Sequence, residues 1–142
     1  MTSQFREVSQ VFCDTSFFYA FLDRNEGRHA RAVELANEAA TAGTLLISTW
    51  DVISETLTLL RRRLGYRVAI RFLDEIKPTL HLILYDHAVR QSAEEVFRRY
   101  PASRPLSFCD VVSFVVITTM LNNIPCLAFD QDFLSLGLTV LQ

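Results

Sequence analysis

The chain has one lysine, four glycines, three cysteines and no long uninterrupted apolar run in its 142 residues. Each scarcity excludes something. With Lys77 as the sole lysine and no acidic pair before the first apolar run, a receiver-type phosphoacceptor domain does not fit. Gly27, Gly43, Gly65 and Gly137 are scattered, so there is neither a Walker loop nor a G-x-G-x-x-G turn to cradle phosphates. No nucleophile-elbow motif supports a Ser/His/Asp hydrolase. His29, His81 and His87 read as structural or surface residues. Cys13, Cys109 and Cys126 are odd in number, match no zinc spacing and lie in apolar segments. They read as small buried residues in a reducing cytoplasm. The longest apolar stretch, Phe108 to Leu121, carries Asp110 and falls short of the roughly 18 residues a membrane span needs. Met1 to Gln10 is mostly polar, so no secretory signal and no membrane association are expected.

What is present is apolar bulk. Half the residues are hydrophobic, and the mean hydropathy is +0.20, rich enough to suggest a covered apolar face such as a protein interface. A chain of this length is expected to form a single domain over 1–142 and to bury roughly 70% of its unfolded surface. Net charge is −2, which gives no global argument for nucleic-acid binding. Local charge differs: Arg61, Arg62 and Arg63 form a block, with Arg67 and Arg71 beyond it. Arginine grips phosphate in bidentate fashion. The competing reading is a solvated helix face with salt bridges to Asp74 and Glu75.

Apolar runs alternate with amphipathic segments, without repeats or linkers. Strands are expected at Val11 to Cys13, Thr44 to Ser48, Leu80 to Tyr85, Pro125 to Phe129 and Leu138 to Leu141. Helices are expected at Ser16 to Asp23, Arg28 to Ala42 (closed by Gly43), Asp51 to Leu64 (stopped by Gly65), Arg67 to Lys77 (stopped by Pro78), Ala88 to Tyr100, and from a Ser107 cap to Leu121. A loop from Pro101 to Pro105 separates the last two. Strands joined through helices imply crossovers and a mostly parallel sheet, with ligands beyond the carboxyl ends of its strands.

Asp14 and Asp130 directly follow two of those buried strands, Asp110 begins the apolar helix, and Glu55 lies one turn into another. Burying an unpaired carboxylate costs several kcal/mol. Together, with few basic residues nearby, the four call for a compensating cation; hard oxygen donors suit Mg²⁺ or Mn²⁺. Such an ion polarises a phosphodiester and activates water. Each acid alone also has a purely structural reading: Asp14 as a helix cap, Asp110 favoured by a helix dipole, Asp130 opening a turn, Glu55 facing solvent. A haloacid-dehalogenase-type phosphatase would need a second Asp two residues after Asp14, where Ser16 stands.

These segments resemble a PIN domain over nearly the whole chain. Val11-Phe12-Cys13-Asp14-Thr15-Ser16 is similar to the family's opening strand, and Ile53-Ser54-Glu55-Thr56-Leu57 to its helix-borne Glu. Leu106-Ser107-Phe108-Cys109-Asp110-Val111-Val112-Ser113 resembles its third acidic motif, and Leu127-Ala128-Phe129-Asp130-Gln131-Asp132-Phe133 its closing motif. The stretch around His29, with Ala30 and Ala32, resembles its early helix. The four motifs in order are more specific than any one of them. The resemblance implies a three-layer α/β/α sandwich around a mostly parallel five-stranded sheet. It further implies a metal-dependent endoribonuclease similar to the VapC toxins of toxin–antitoxin pairs, with Mg²⁺ or Mn²⁺ held by Asp14, Glu55, Asp110 and Asp130. Ser16 would support the metal shell or a phosphate; Asp132 would join the site or cap a turn outside it. Ala128 departs from the family's frequent Thr or Ser and removes one hydroxyl near the site.

RNA as substrate, a cognate antitoxin and a homodimer are the partners implied. Phe17, Phe18, Tyr19, Phe21 and Leu22 give the first helix more apolar surface than one core face needs, and the helix after Ser107 is apolar nearly all round. An ordinary deep core is the other reading of both. Two alternatives to a toxin stand beside it: a housekeeping PIN nuclease in RNA processing, and a PIN-like binding module with a weak metal site. Manganese binding separates enzyme from module, and a small neighbouring reading frame with a DNA-binding pattern supports the toxin.

Overall fold

The segment Val11, Phe12 and Cys13 is fully buried, as expected of a strand covered on both faces. It forms the centre of a five-stranded sheet in the computed structural model, which describes residues 3–101, 103–104 and 106–142. Met1, and Ala102 and Pro105 of the expected loop, lie outside the described residues. Strand β1 (Gln10–Cys13) leads to helices α1 (Thr15–Leu22) and α2 (His29–Ala42), then β2 (Leu45–Ser48). Helices α3 (Trp50–Arg63) and α4 (Tyr66–Arg71) precede β3 (His81–Leu82). Helices α5 (His87–Arg99) and α6 (Phe108–Met120) lead back to β4 (Cys126–Leu127), and α7 (Gln131–Ser135) to β5 (Val140–Leu141).

The strand order is β3-β2-β1-β4-β5 and every pairing is parallel. Right-handed crossovers put α1 to α4 on one face and α5 to α7 on the other, giving three layers. Most helix contacts follow this division: α1 meets α2 and α3, α3 meets α4, and α6 meets α5 and α7; α3 also meets α6, joining the two layers. Phe12 pairs with Ile47 on one side and Cys126 on the other, so the chain reverses its direction of winding between β1 and β4. That reversal opens a crevice at the carboxyl ends of these two strands.

Local chemistry sets most element ends. Gly43 closes α2 in the left-handed region at φ 70°, which costs an L-residue roughly 1–2 kcal/mol. Thr49, Asp86 and Ser107 cap α3, α5 and α6 through side-chain oxygens that accept backbone N–H bonds. Helix Arg67 to Lys77 is not continuous as expected. The α-helix gives way to a π turn over Phe72–Ile76 and a 3₁₀ turn over Lys77–Thr79. Pro78 lacks the N–H an α-helix would use there, while the wide turn seats fully buried Phe72 edge-on against Phe18 at 5.1 Å.

The three later strands are each two residues long, shorter than their apolar runs. Strand β3 is an edge with one neighbour, and the chain leaves it so quickly that Leu84 is 79% exposed. Beyond β4, the Phe129 N–H turns to the Ser16 hydroxyl (2.9 Å) instead of the ladder. Helix α7 was not expected. Its signal was Asp130, whose side chain accepts from the Asp132 N–H, with Gly137 (φ 83°) ending the turn beyond it. The first helix uses its apolar surplus inward: Phe17, Phe18 and Ala20 are buried, and Tyr19, Phe21 and Leu22 pack partly against the core. The middle of α6 is buried, whereas Phe108 and Met120 at its ends are exposed.

Phe18→Ala should lower the unfolding free energy by about 3–5 kcal/mol, read from urea midpoints, because both its helix packing and its Phe72 contact are lost. Leu84→Ala should stay within about 0.5 kcal/mol of the parent.

Candidate metal and catalytic centre

Asp14 leaves β1 and caps α1. Its Oδ2 accepts the Ser16 N–H at 3.0 Å and the Ser16 hydroxyl at 2.7 Å. The same Ser16 oxygen accepts the Phe129 N–H. One side chain thus ties the end of β1 to the end of β4, and it carries Asp14 and Asp130 into the same crevice. Ser16, expected beside the metal shell or a phosphate, fastens the two strand ends.

Asp110 enters from α6. Ser107 caps that helix by accepting the Asp110 N–H at 3.0 Å, which sets the carboxylate in the first helical turn. Asp130 caps α7 by accepting the Asp132 N–H at 2.9 Å, a bond that folds Asp132 back toward it. Oxygens of Asp110, Asp130 and Asp132 all lie within 4.8 Å of one another. The position left open by the sequence, Asp132, therefore belongs inside the cluster. Asp14 and Glu55 are not within that 4.8 Å set, but their charges act on it.

Glu55 projects from α3 as an exposed carboxylate. A buried hydroxyl chain backs it: Thr56 Oγ1 donates to Thr15 Oγ1 at 3.0 Å, and Thr15 in turn reaches Glu55 Oε2 at 3.5 Å and the Val52 carbonyl at 3.4 Å. Sequence reasoning missed both threonines, because nothing in their spacing reveals that α1 and α3 touch.

The electrostatics are those of crowded like charges. Burial, moderated by the Ser16 bonds and reinforced by Glu55, pushes Asp14 up to about 6. Burial and then the charges of Asp14 and Asp130 push Asp110 up to about 7. Burial and the neighbouring Asp130 raise Asp132, with Arg104 pulling the other way. Among the described residues the ion pairs are Arg31 with Glu34 and Glu38, Arg71 with Glu75, and Arg98 with Glu95, all remote from the centre. The cluster thus offers only hard oxygen donors, in excess of negative charge and without a partnering side-chain cation. That donor set fits a divalent ion of the Mg²⁺ or Mn²⁺ type.

Two clefts flank the centre and share Leu59 of α3 as their dividing ridge. One, of about 370 Å³, is lined by Ser16, Tyr19, Arg63 and Asp130 among others. The other, of about 770 Å³, is lined by Trp50, Tyr85 and Arg90 near the start of α3, by Glu55 and Cys109 midway, and by Arg62 near the end of α3. Of the expected salt bridges one forms, Arg71 to Glu75 at 3.2 Å; Arg62 and Arg63 turn into opposite clefts, while Arg61 sits over Tyr66 at 5.2 Å.

The PIN domain family pattern matches residues 11–137. The 23S rRNA-specific endonuclease VapC20 of Mycobacterium tuberculosis is 30% identical over 131 residues, covering 89% of this chain and 94% of that protein. The crystal structure of VapC20, described as a sarcin–ricin loop cleaving toxin, superposes with a TM-score of 0.78 over 91% of this chain and 96% of its own. FitAcB from Neisseria gonorrhoeae shares the fold at 13% identity, with a TM-score of 0.67 over 93% of this chain and 96% of its own. With four acidic motifs converging at the β1–β4 crevice and this match over most of its length, the chain belongs to the PIN domain family.

Proposed function

We propose that this protein is a metal-dependent endoribonuclease, the toxin of a type II toxin–antitoxin pair. In this reading it is a single domain over residues 1–142 that works as a homodimer in the cytoplasm and is held in check by a cognate antitoxin. The observation that carries the reading is the carboxylate centre itself, whose raised proton affinities mark a site short of positive charge. Similarity to a ribosomal-RNA endonuclease supports the substrate class. Among the described residues no helix is long and apolar enough to cross a membrane.

In this proposal Asp14, Glu55, Asp110 and Asp130 hold Mg²⁺ or Mn²⁺, with Asp132 as a further acid beside Asp130. An ion held there would supply Lewis-acid polarisation of the phosphodiester and a more acidic water as nucleophile, for products with a 5′-phosphate and a 3′-hydroxyl. The chain's own residues supply position. Ser16 fixes Asp14 and the strand end that carries Asp130. The Thr56–Thr15 chain backs Glu55. Ser107 orients the first turn of α6, and with it Asp110. Because Asp14 and Asp110 hold protons more tightly than ordinary carboxylates, cation binding displaces protons and weakens as pH falls through about 7 and then 6.

Cleavage of RNA with Mg²⁺ or Mn²⁺ should fall by more than roughly 100-fold in Asp14→Asn and Asp110→Asn, since even groups that only orient metal ligands are worth about 10- to 100-fold. Equal activity in the parent and both variants would overturn the assignment. Ser16→Ala should keep the fold and lose about 10- to 100-fold in activity or Mn²⁺ affinity, measured by titration calorimetry.

Stability should carry the opposite signature. Both folded pKa values lie above the ordinary carboxylate value of 3.8, so the native state binds more protons than the unfolded chain between about pH 4 and 7. The stabilisation from these protonated acids is complete below pH 4 and is lost as pH rises through 6 and 7. Metal-free protein should melt lower at pH 7.5 than at pH 5. Asp110→Asn, although inactive, should raise the metal-free Tm at pH 7.5 by roughly 5 °C, equivalent to about 2 kcal/mol for a domain of this size. Saturating Mn²⁺ should remove most of the difference.

A further inference from the structure

Helix α3 places Glu55, Leu59 and Arg62 at successive turns along the 770 Å³ cleft. That spacing of four and three residues puts them on one face. The cleft therefore holds the Glu55 carboxylate midway along a rail that has Arg62 towards one end. At the other end, set by the start of α3, stand Trp50 (49% exposed) and Tyr85. Lys77 holds the indole from 4.8 Å above the ring, and Arg90 sits 5.8 Å over the Tyr85 ring. The other acid in the cleft, Asp51, is already engaged: its Oδ2 accepts the Tyr85 hydroxyl at 2.6 Å. Among the described residues neither Arg62 nor Arg90 has an ion-pair partner within 4.0 Å.

We propose that this cleft is a subsite for an unpaired nucleotide beside the scissile bond. Trp50 stacks on its base and Arg90 holds its phosphate, while Arg62, on the far side of Glu55, holds the strand across the cut. The proposal rests on the nuclease reading and adds to it the side chains that grip the strand on each side of the cut. Aromatic platforms next to arginines suit unpaired RNA, because only an unstacked base presents its face. A paired helix would keep its bases inside and offer the rail only phosphate. The second cleft, beyond Leu59, gives the strand an exit past Arg63. Arg90 and Arg62 thus stand on opposite sides of Glu55.

Trp50 is the only tryptophan in the chain, so its emission reports the subsite directly. The experiment titrates the metal-free protein with a twelve-nucleotide single-stranded RNA and with the same sequence as a duplex. Fluorescence quenching and anisotropy of end-labelled RNA are both followed. The single strand should quench Trp50 and bind more tightly than the duplex. Trp50→Ala should weaken single-strand binding by about 5- to 100-fold, with most of the affinity restored in Trp50→Phe. Arg62→Ala and Arg90→Ala should each reduce the slope of log affinity against log salt by about 0.7. Unchanged binding in Trp50→Ala, or equal quenching by duplex and single strand, would overturn the subsite. A change of sedimentation in Trp50→Ala without loss of RNA binding would overturn it too, by assigning the cleft to self-association. Failure of the parent to cleave RNA with Mn²⁺, while the Trp50-dependent binding persists, would overturn the nuclease reading and leave the subsite standing.

Discussion

The structure is organised around the cost of gathering carboxylates at one edge of an apolar sheet. Asp14 and Asp110 are almost fully buried, and Asp130 and Asp132 are half-buried beside them. In a low-dielectric setting each negative charge makes its neighbours harder to ionise, which is why Asp14 and Asp110 retain protons up to about 6 and 7. A fold selected only for stability would have no use for such a cluster. The centre is affordable because each acid except Glu55 sits at a helix start, where it accepts a backbone N–H or lies within the first turn.

This explains why the structural and the chemical readings of these residues do not compete. Asp14 caps α1, Asp130 caps α7, and Asp110 lies in the first turn of α6, as a purely architectural account would have it. The caps are also what aim the carboxylates at the crevice. Ser16 makes the coupling explicit, since one hydroxyl serves the Asp14 carboxylate and the backbone beyond β4 at once. With Ala128 in place of a hydroxyl residue, Ser16 supplies a side-chain link between the two strand ends beside the backbone bond from the Asp14 N–H to the Leu127 carbonyl at 3.1 Å.

Helix α3 links chemistry to recognition in the same economical way. Glu55 faces the centre, while Arg62 and Arg63, two turns further on, diverge into two clefts separated by Leu59. The acidic centre and the basic walls are thus mounted on one rigid element. A polyanion drawn to the arginines is brought along the helix to the carboxylates, which need a cation before they tolerate it. The net charge of −2 hides this arrangement; only the local distribution reveals it.

Strand and helix periodicity, the Gly43 and Ser107 caps, and the acids after apolar runs were legible in the sequence, because they depend on contacts within a few residues. The β1–β4 adjacency was an inference from fold class that the pairing of Phe12 with Cys126 bears out. Two features were not legible because they depend on partners far along the chain: the break after Arg71, on the ring of Phe18 against Phe72, and the early end of β4, on the Ser16 hydroxyl that draws Phe129 away from the ladder. The same holds for the site. Sequence alone determined which carboxylates border the core and what kind of cation they suit. Only the tertiary structure decided that Asp132 joins Asp110 and Asp130, that Thr15 and Thr56 stand behind Glu55, and that neighbouring arginines part into separate clefts. Those outcomes rest on distances across the β1–β4 crevice and between packed helices, which local spacing does not encode.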